Sequence, residues 1–331
     1  MKISVALCTY NGGSYILEQL QSIASQTRLP DEIIVSDDRS SDDTQEIVLQ
    51  FAATAPFKLQ FSTNLSRIGV TKNFEHAISL CSGDVIFLCD QDDVWLPQKI
   101  AEMMQPFMAN DNVGLVFSNA YITDTKLNQL GYTVWDTFRF DKIRQRAIRS
   151  DEAVSILIRR NIVTGATAAF RSTLKNVILP IPGKWMHDAW IAFIAAATSR
   201  IEFIDTPLIL YRQHERNVIG GRRLNTFEMV ATASQTTPAS FDNEISQISE
   251  LLRPEILQRL QAKMDIKVIA RISREMQHKI LHLNARRAVF NCNYLSRIPI
   301  VIRELVTLNY HRYSRGWSSA ITDLVLRSNR P

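Results

Sequence analysis

Cysteine is scarce in this chain, and its placement argues against two kinds of small fold. The 331 residues contain four cysteines, with no CxxC pair and no histidine nearby at zinc-finger spacing. A structural zinc site or a disulfide framework is therefore not expected. The sequence instead predicts reduced thiols packed in the core, at Cys8, Cys81, Cys89 and Cys292.

Long uncharged apolar runs are also missing. No stretch reaches the roughly 18 residues that a membrane-spanning helix needs. The opening Met1-Lys2 is followed by only a short apolar run, ISVALC, which does not resemble a secretory signal. These two absences predict a protein that is made and kept in the cytoplasm.

The composition is that of an ordinary globular protein, but the charge is uneven. Apolar residues make up 46% and charged residues 21% of the chain, and the net charge is +5. Acids outnumber bases up to Lys99, whereas bases dominate from Asp265 onward. This asymmetry predicts two regions with different tasks. The pI of about 9.0 has no nucleic-acid recognition motif behind it, so nucleic-acid binding is not expected.

The first half alternates short apolar runs with amphipathic segments of helix length, which is typical of a mostly parallel sheet covered by helices. We predict strands at 3–8, 33–35, 58–61, 85–88, 113–118, 201–204 and 208–211, and helices at 15–26, 44–53, 70–80, after Pro97 and from His187. Residues 121–149 are interpreted as a variable, partly exposed insertion. The predicted α/β domain covers 1–220, in halves 1–120 and 121–220, and a helical, basic region covers 221–331.

Polar side chains follow three of the predicted strands where each strand ends. Thr9-Tyr10-Asn11 follows the first strand, Asp37-Asp38 the second, and the DQDD sequence of residues 90–93 the fourth. In open α/β sheets, ligands bind beyond the carboxyl ends of the strands. The sequence therefore predicts a ligand site at this edge.

The stretch FLCDQDDVW places three carboxylates directly after an apolar strand. Like charges this close raise one another's pKa unless a cation lies nearby. A hard divalent ion such as Mg²⁺ or Mn²⁺ suits one or two carboxylates together with phosphate oxygens. The alternative is a solvated loop without a ligand.

Four other features have a structural alternative that the residues alone leave open. The stretch SDDRSSDDT is interpretable as a turn in which Ser40 caps the next helix, although Asp37 lies before that turn and could accept from a base or a ribose hydroxyl. Asp188 is either a functional carboxylate or the N-cap of a helix. His214 and Arg67 are either ligand contacts or solvated side chains.

Taken in order, the motifs carry a resemblance that no single one of them would. They are CTYNGG, VSDDRSSDDT, NLSRIGVTKNF, SGDVIFLCDQDDVW, TGATAAF, MHDAW and LYRQHERN. The chain resembles a family 2 glycosyltransferase with the GT-A fold, similar to bacterial rhamnosyl-type enzymes that build O-antigen or capsule. The resemblance covers residues 1–220.

The resemblance implies a role for each matching position. Donor-binding residues would be Thr9, Tyr10, Asn11, Asp37, Asp38, Arg67, Asp90 and Gln91; acceptor-side residues would be Gly165, Ala166, Trp185 and His187; ligands of Mg²⁺ or Mn²⁺ would be Asp92, Asp93 and His214; and the catalytic base would be Asp188. The residue before the base is often Glu in the family, whereas it is His187 here. This departure weakens an inference about the acceptor and leaves the role of Asp188 intact.

The implied activity is metal-dependent, inverting transfer of a sugar from a nucleotide-diphosphate donor, dTDP-rhamnose or a UDP-hexose, to a glycan or lipid-linked glycan. A sugar-1-phosphate nucleotidyltransferase is a rival, but TYNGGSY lacks the arginine expected in that enzyme's phosphate loop. An inactive nucleotide-sugar-binding or scaffold protein is a second rival. The basic C-terminal region is either a helical subdomain with a solvated face or a contact with anionic membrane at the inner face of the cytoplasmic membrane.

Overall fold

The structure is a computed structural model that describes residues 1–150, 152–214, 237–262 and 264–325. The chain divides into one unit of Met1–Ala153 with Asn161–Arg223 and a second unit of Val154–Arg160 with Leu224–Pro331. The predicted boundary between residues 220 and 221 lies outside the described residues, so it stays a prediction.

The first unit contains the sheet. Its strands are β1 (Ile3–Thr9), β2 (Glu32–Asp37), β3 (Lys58–Thr63), β4 (Val85–Asp90), β5 (Val94–Trp95), β6 (Val113–Thr123), β7 (Gln129–Thr133), β8 (Ala168–Arg171) and β9 (Arg200–Arg212). Its helices are α1 (Ile16–Ala24), α2 (Thr44–Ala52), α3 (Val70–Leu80), α4 (Lys99–Ala109), α5 (Val134–Phe138), α6 (Lys142–Ile148), α8 (Lys175–Ile178) and α9 (His187–Thr198), and α7 (Ala153–Arg159) lies between α6 and α8 in the chain. Single 3₁₀ turns cover Gly165–Thr167 and Ser172–Leu174.

The strands form one mixed sheet in the order β3-β2-β1-β4-β8-β6-β9-β5, and β7 pairs with β6. Pairing is parallel from β3 to β4 and between β6 and β9, and antiparallel at β8, β5 and β7. Every residue of β1 is buried because both faces of the sheet are covered, which explains its unbroken apolar sequence. This is the α/β architecture that the alternating pattern predicts.

The register of the parallel strands determines where the site forms. Thr9 pairs with Asp37, and Cys8 pairs with Asp90, so β1, β2 and β4 end at the same edge of the sheet. The polar residues that follow these strands are therefore brought together. The predicted edge is the one that the structure forms.

One local prediction is wrong. The segments 201–204 and 208–211 are not separate strands but parts of β9, which follows β6 through several register shifts. The partner strand β6 is distant in sequence, so the pattern alone did not join the two segments. Residues 121–149 are partly exposed, as predicted, and they also hold the end of β6, the β7 hairpin and two helices, with Trp135 and Phe140 buried against Phe117 and Phe203.

The described part of the second unit is helical, as predicted. Its helices after α7 are α10 (Pro238–Leu251), α11 (Pro254–Gln261), α12 (Ile266–Asn291), α13 (Tyr294–Val306), α14 (Asn309–Tyr313) and α15 (Trp317–Val325). Proline begins α10 and α11, where its missing N–H has no intrahelical acceptor. The side chains of Asp265 and Asn293 cap α12 and α13.

The sequence places Val154–Arg160 in the first region, whereas the structure groups it with the second unit. The helix α7 buries Val154, Leu157 and Ile158, and the buried ammonium of Lys279 donates to the carbonyl of Ile158 at 2.6 Å. The helix α7 has only seven residues, and a sequence this short shows no clear periodicity from which its packing partners could be predicted.

The cysteines are free thiols, with Cys8, Cys81 and Cys89 buried and Cys292 partly buried. Among the described residues, no helix is both long enough and apolar enough to cross a membrane.

Candidate active site

The turn after β2 is fixed by Asp37. This carboxylate is buried, accepts from the Thr9 hydroxyl at 2.7 Å and from the Ser40 backbone N–H at 2.8 Å, and also accepts from the Ser40 hydroxyl. Ser40 therefore does not cap α2, whose N-cap position is Asp43. The position of Asp37 before the turn, which the sequence leaves unexplained, has a structural cause: its carboxylate organises the turn.

Asp38 holds the loop that carries Arg67. Its carboxylate accepts from the backbone N–H groups of Ile68 and Gly69, both at 2.8 Å, and from the Asn64 amide at 3.1 Å. The Arg67 guanidinium lies 4.1 Å from the centroid of the Tyr10 ring. Tyr10 and Arg67 thus form a cation–π pair at the edge where a nucleotide base is expected.

The loop after β1 is clamped from both sides. The Gln91 amide accepts from the Tyr10 N–H at 2.8 Å and donates to the Tyr10 carbonyl at 3.1 Å. Asn11 has a positive φ of 48° and its side chain accepts from the Ser41 N–H at 2.8 Å. Tyr10 and Gln91 are therefore bonded to each other, and Thr9, Asn11 and Asp37 are joined through Ser40.

The three carboxylates of the DQDD loop point to different environments. Asp92 Oδ2 lies 2.8 Å from His214 Nε2, and the His214 ring stacks on Tyr15 with the ring centroids 5.2 Å apart. Asp93 is buried, and its Oδ1 accepts from the Arg212 N–H at 3.1 Å. Asp92 and His214 are therefore paired, while Asp93 is turned into the protein.

Burial raises the pKa of Asp90 to about 7, with the nearby charges of Asp92 and Asp188 adding to the shift. Burial also raises the pKa of Asp93 well above its usual range, and Asp92 adds to that shift as well. These directions are the ones expected of carboxylates that repel one another. A cation placed among them would relieve the repulsion.

Two basic residues that the sequence analysis missed hold this loop. The Arg212 guanidinium donates to the Asp92 carbonyl at 2.8 Å and to the Thr125 carbonyl, and it also contacts the Glu18 carboxylate. The fully buried Lys99 lies 3.5 Å from the centroid of the Trp95 ring. The only sequence signals were an arginine two residues before His214 and a lysine just after Pro97.

Asp188 lies in the first turn of α9 but is not its N-cap, which is Met186. Its Oδ1 accepts from the Ala189 N–H at 2.6 Å, and Gly165 donates a backbone hydrogen bond to the same carboxylate. Burial raises its pKa to about 6, against the lowering effect of these hydrogen bonds. The group is a buried carboxylate that can take up a proton near neutral pH.

The 3₁₀ turn beside Asp188 is packed without spare room. A Cβ placed on Gly165 would lie 2.7 Å from His187 Nε2. The His187 ring stacks on Phe74 with centroids 3.9 Å apart, and burial lowers its pKa to about 3. Lys99 Nζ donates to the carbonyl of Ala166 at 2.8 Å. Glycine at 165 is therefore required by a close approach of the imidazole.

Trp185 is buried among aromatic side chains. It is 8% exposed and packs against Trp190 and Phe193 with centroid distances of 5.5 Å and 5.9 Å. Its carbonyl accepts from the Thr71 hydroxyl at 3.2 Å. The structure gives it a packing role, and its acceptor contact stays a prediction.

The residues present fit a hard divalent ion only in part. Within the described residues, no group of three or more His, Cys, Asp or Glu side chains forms a cage for a metal. Asp92 and His214 supply two donors, which suits Mg²⁺ or Mn²⁺ if phosphate oxygens and water complete the coordination. In Asp93, Oδ1 accepts from the Arg212 N–H, whereas the buried Oδ2 has no hydrogen-bond partner among the described residues and would be available to a cation.

An open sheet with acidic strand ends beside a buried carboxylate is the arrangement of a nucleotide-sugar transferase of the GT-A fold. The sequence profile of Glycosyl transferase family 2 matches residues 4–172, and the chain belongs to this family.

Known proteins agree with the family and the fold. The chain is 29% identical to a dTDP-rhamnosyl transferase of Shigella flexneri over 221 residues, which are 65% of this chain and 73% of the relative. The first curated relatives are matched over 66% and 60% of their own lengths. The fold is similar to that of Staphylococcus aureus TarS 1–349 in complex with UDP, with a TM-score of 0.53, 15% identity, and coverage of 99% of this chain and 90% of that one. It is also similar to a mannosyltransferase of Pyrobaculum calidifontis in complex with GDP-Man and Mn²⁺, with a TM-score of 0.50, 17% identity, and coverage of 99% and 86%.

Proposed function

We propose that this protein transfers a sugar from a nucleotide-diphosphate donor, dTDP-rhamnose or a UDP-hexose, to a hydroxyl of a growing surface polysaccharide, with inversion at the anomeric carbon. The observation that carries the proposal is the buried carboxylate of Asp188, which is held by the backbone N–H groups of Ala189 and Gly165. Its charge also raises the pKa of Asp90, which supports a position near the acidic loop expected to face a diphosphate. The rhamnosyl transferase among the relatives supports a dTDP-sugar.

The donor is held by residues at the carboxyl ends of β1, β2 and β4. The Tyr10 ring and the Arg67 guanidinium receive the base, and Asp90 holds the ribose or the sugar. The polar contacts of Asp37 and Asp38 serve mainly to fix the two loops that carry these groups. The donor residues therefore act through loop geometry as much as through direct contact.

The diphosphate leaving group needs positive charge. Asp92 and His214 would hold a Mg²⁺ or Mn²⁺ ion, as the Mn²⁺ complex of the similar mannosyltransferase suggests. The bound ion supplies Lewis-acid stabilisation of the departing diphosphate oxygens. No protonating side chain is then needed on the leaving-group side.

Asp188 acts as the general base. It takes the proton of the acceptor hydroxyl while the acceptor oxygen bonds to the anomeric carbon and the carbon–oxygen bond to the diphosphate breaks, so that the bonding pair leaves with the diphosphate. Because the carboxylate must be ionised and its pKa is raised to about 6, the reaction rate should rise as the pH passes through about 6. The single displacement inverts the anomeric centre.

The acceptor side is formed by Gly165, Ala166 and His187. We propose that the acceptor is a lipid-linked glycan, so that the reaction takes place in the cytoplasm at the inner face of the membrane. A neutral His187, as its lowered pKa implies, can donate or accept a hydrogen bond to an acceptor hydroxyl.

The test is a donor screen with purified protein and Mn²⁺ or Mg²⁺, in which release of nucleotide diphosphate is measured with candidate lipid-linked acceptors. Wild type should turn over one donor, and Asp188→Asn, which keeps the size of the side chain, should lose most of the rate. A fully active Asn variant would rule out the proposed base. Release of pyrophosphate from a sugar-1-phosphate and a nucleoside triphosphate would favour the nucleotidyltransferase instead, and donor binding without turnover would favour an inactive scaffold.

A further inference from the structure

The helix α13 exposes an apolar stripe to solvent. Leu295, Ile302 and Val306 are 76%, 53% and 77% exposed, and Pro299 is exposed between them. The spacing of four, three and four residues places these side chains on one face of the helix. Exposed stripes of large apolar side chains mark contact surfaces more often than chance.

The opposite face of α13 is the one that packs into the core of the helical unit. Val301 is fully buried and packs with Val289, Tyr310 and Ala320 in the core of the helical unit. Glu304 is buried on the same side. The core of the second unit is therefore complete without the stripe.

The helix α15 repeats the pattern. Trp317 and Ile321, one turn apart, are 64% and 56% exposed, while Ala320 and Asp323 face the core. Trp317 contacts His311 edge to face with ring centroids 5.7 Å apart. A tryptophan with one polar neighbour is a side chain that suits the boundary between water and apolar material.

The exposed charges of this region have a single sign. Its only acidic residues, Glu304 and Asp323, are 3% and 0% exposed, and they are bonded to His282 and Arg286. Glu304 also pairs with the exposed Arg303 at 3.0 Å, so Arg312 and Arg315 are the exposed cations of this region that no described carboxylate pairs with in an ion pair. The exposed charged residues are Arg303, Arg312 and Arg315. Residues 294–325 therefore present apolar and cationic groups without an exposed carboxylate.

We propose that the exposed faces of α13 and α15, here called the C-terminal apolar surface, bind an anionic phospholipid membrane. The inference rests on the proposed function, in which the acceptor is lipid-linked, and it assigns the contact to particular residues. Charge complementarity selects this occupant, because the exposed charged residues of 294–325 are arginines, which are attracted to anionic headgroups. A second copy of the same surface would instead bring the arginines of both copies together.

The experiment is co-sedimentation of the full chain with vesicles of phosphatidylglycerol and phosphatidylcholine, compared with vesicles of phosphatidylcholine alone. Wild type should bind the anionic vesicles selectively. Arg312→Gln with Arg315→Gln should lower the partition about thirtyfold, since each arginine near an anionic surface contributes about a fivefold factor. Ile302→Glu with Val306→Glu should abolish binding, whereas Ile143→Glu, at an apolar position that is 78% exposed in the first unit, should not change it.

Nucleotide diphosphate release with a soluble acceptor, measured on the same samples, separates this proposal from the proposed function. Vesicle binding without donor turnover supports the membrane-binding proposal and contradicts the proposed transfer reaction. If wild type is folded by circular dichroism but does not sediment with anionic vesicles, the membrane-binding proposal is contradicted. An oligomer that the Ile302→Glu and Val306→Glu changes dissociate would also overturn it, because a second copy would then be the occupant.

Discussion

Lys99 Nζ donates a hydrogen bond to the carbonyl oxygen of Ala166 at 2.8 Å across 67 positions of sequence. The lysine is fully buried against the Trp95 ring, and burial lowers its pKa to about 7. Its ammonium is electrostatically coupled to Asp93 and Asp90. The helix that follows the acidic loop is thus tied directly to the turn beside Asp188.

We expect Lys99→Met to damage the site beyond its effect on folding. The change leaves the Ala166 carbonyl without its donor, which destabilises by roughly 1–3 kcal/mol, measurable in denaturant. It also removes the positive charge that lowers the pKa of Asp90 and Asp93, so these carboxylates should ionise at a higher pH and the pH profile of the rate should shift upward with them. Lys175→Met is the matched control, because Lys175 donates to the carbonyls of Ser79 and Cys81 at 3.0 Å and 2.8 Å. An unchanged pH profile in Lys99→Met would show that the lysine has only a structural role.

The contact between Gly165 and His187 leads to a reciprocal prediction. Gly165→Ala should destabilise the protein by roughly 1–3 kcal/mol and lower the rate, because the new methyl group meets the imidazole at 2.7 Å. In the double variant Gly165→Ala with His187→Ala, the space left by the ring should restore part of the stability. A double-mutant cycle in denaturant measures this coupling, and simple additivity of the two changes would contradict the proposed clash.

The strand ends were predictable because their signal is local. A run of apolar residues followed by Thr9, Asp37 or Asp90 shows where a buried strand stops, and parallel pairing then brings the ends together. The family was predictable for a similar reason, because each of its motifs is a short stretch of sequence. Strand ends and motifs can both be recognised within short segments of the chain.

The basic residues that bond to the site from distant parts of the chain were not predictable. Lys99 and Arg212 are ordinary basic residues in the sequence, and only the fold shows that one bonds to Ala166 and the other to the loop at Asp92. The reverse holds for Asp37, which looked like a free ligand group until the fold showed its bonds to Thr9 and Ser40. Partners distant in the chain decide which polar residue is structural.

Arg212 provides a test of the metal site through its support of the DQDD loop. Arg212→Gln removes the hydrogen bond to the Asp92 carbonyl and the contact with Glu18, so Asp92 should be less well oriented. We expect about a 10–100-fold increase in the Mn²⁺ concentration needed for half-maximal activity, as for other residues that orient metal ligands. Arg149→Gln is the control, because Arg149 pairs with Glu202. If wild type and Arg212→Gln need the same Mn²⁺ concentration for half-maximal activity, the assignment of Asp92 as a metal ligand is contradicted.

The acidic loop also predicts how the stability of the metal-free protein depends on pH. The folded state holds a proton on Asp90 up to about pH 7, whereas the unfolded chain releases it near pH 3.8. Between these values the Asp90 carboxyl binds more proton in the folded state than in the unfolded state, so its contribution to the free energy of unfolding should fall as the pH rises. Burial in the folded state disfavours the ionised carboxylate of Asp90, and Asp90→Asn replaces that carboxylate with a neutral amide.

Asp90→Asn should therefore stabilise the metal-free protein at pH 8 by roughly 1–3 kcal/mol and change little at pH 4, as measured by denaturant unfolding at both values. Asp124→Asn is the control, because hydrogen bonds from Asn128 lower the pKa of Asp124 and its loss should not stabilise at pH 8. Mn²⁺ should raise the stability of wild type most at pH 8, where the carboxylates are ionised, since an ion that binds the folded state shifts the equilibrium by mass action. A stabilisation by Asp90→Asn that is no larger at pH 8 than at pH 4 would contradict the repulsion among these carboxylates.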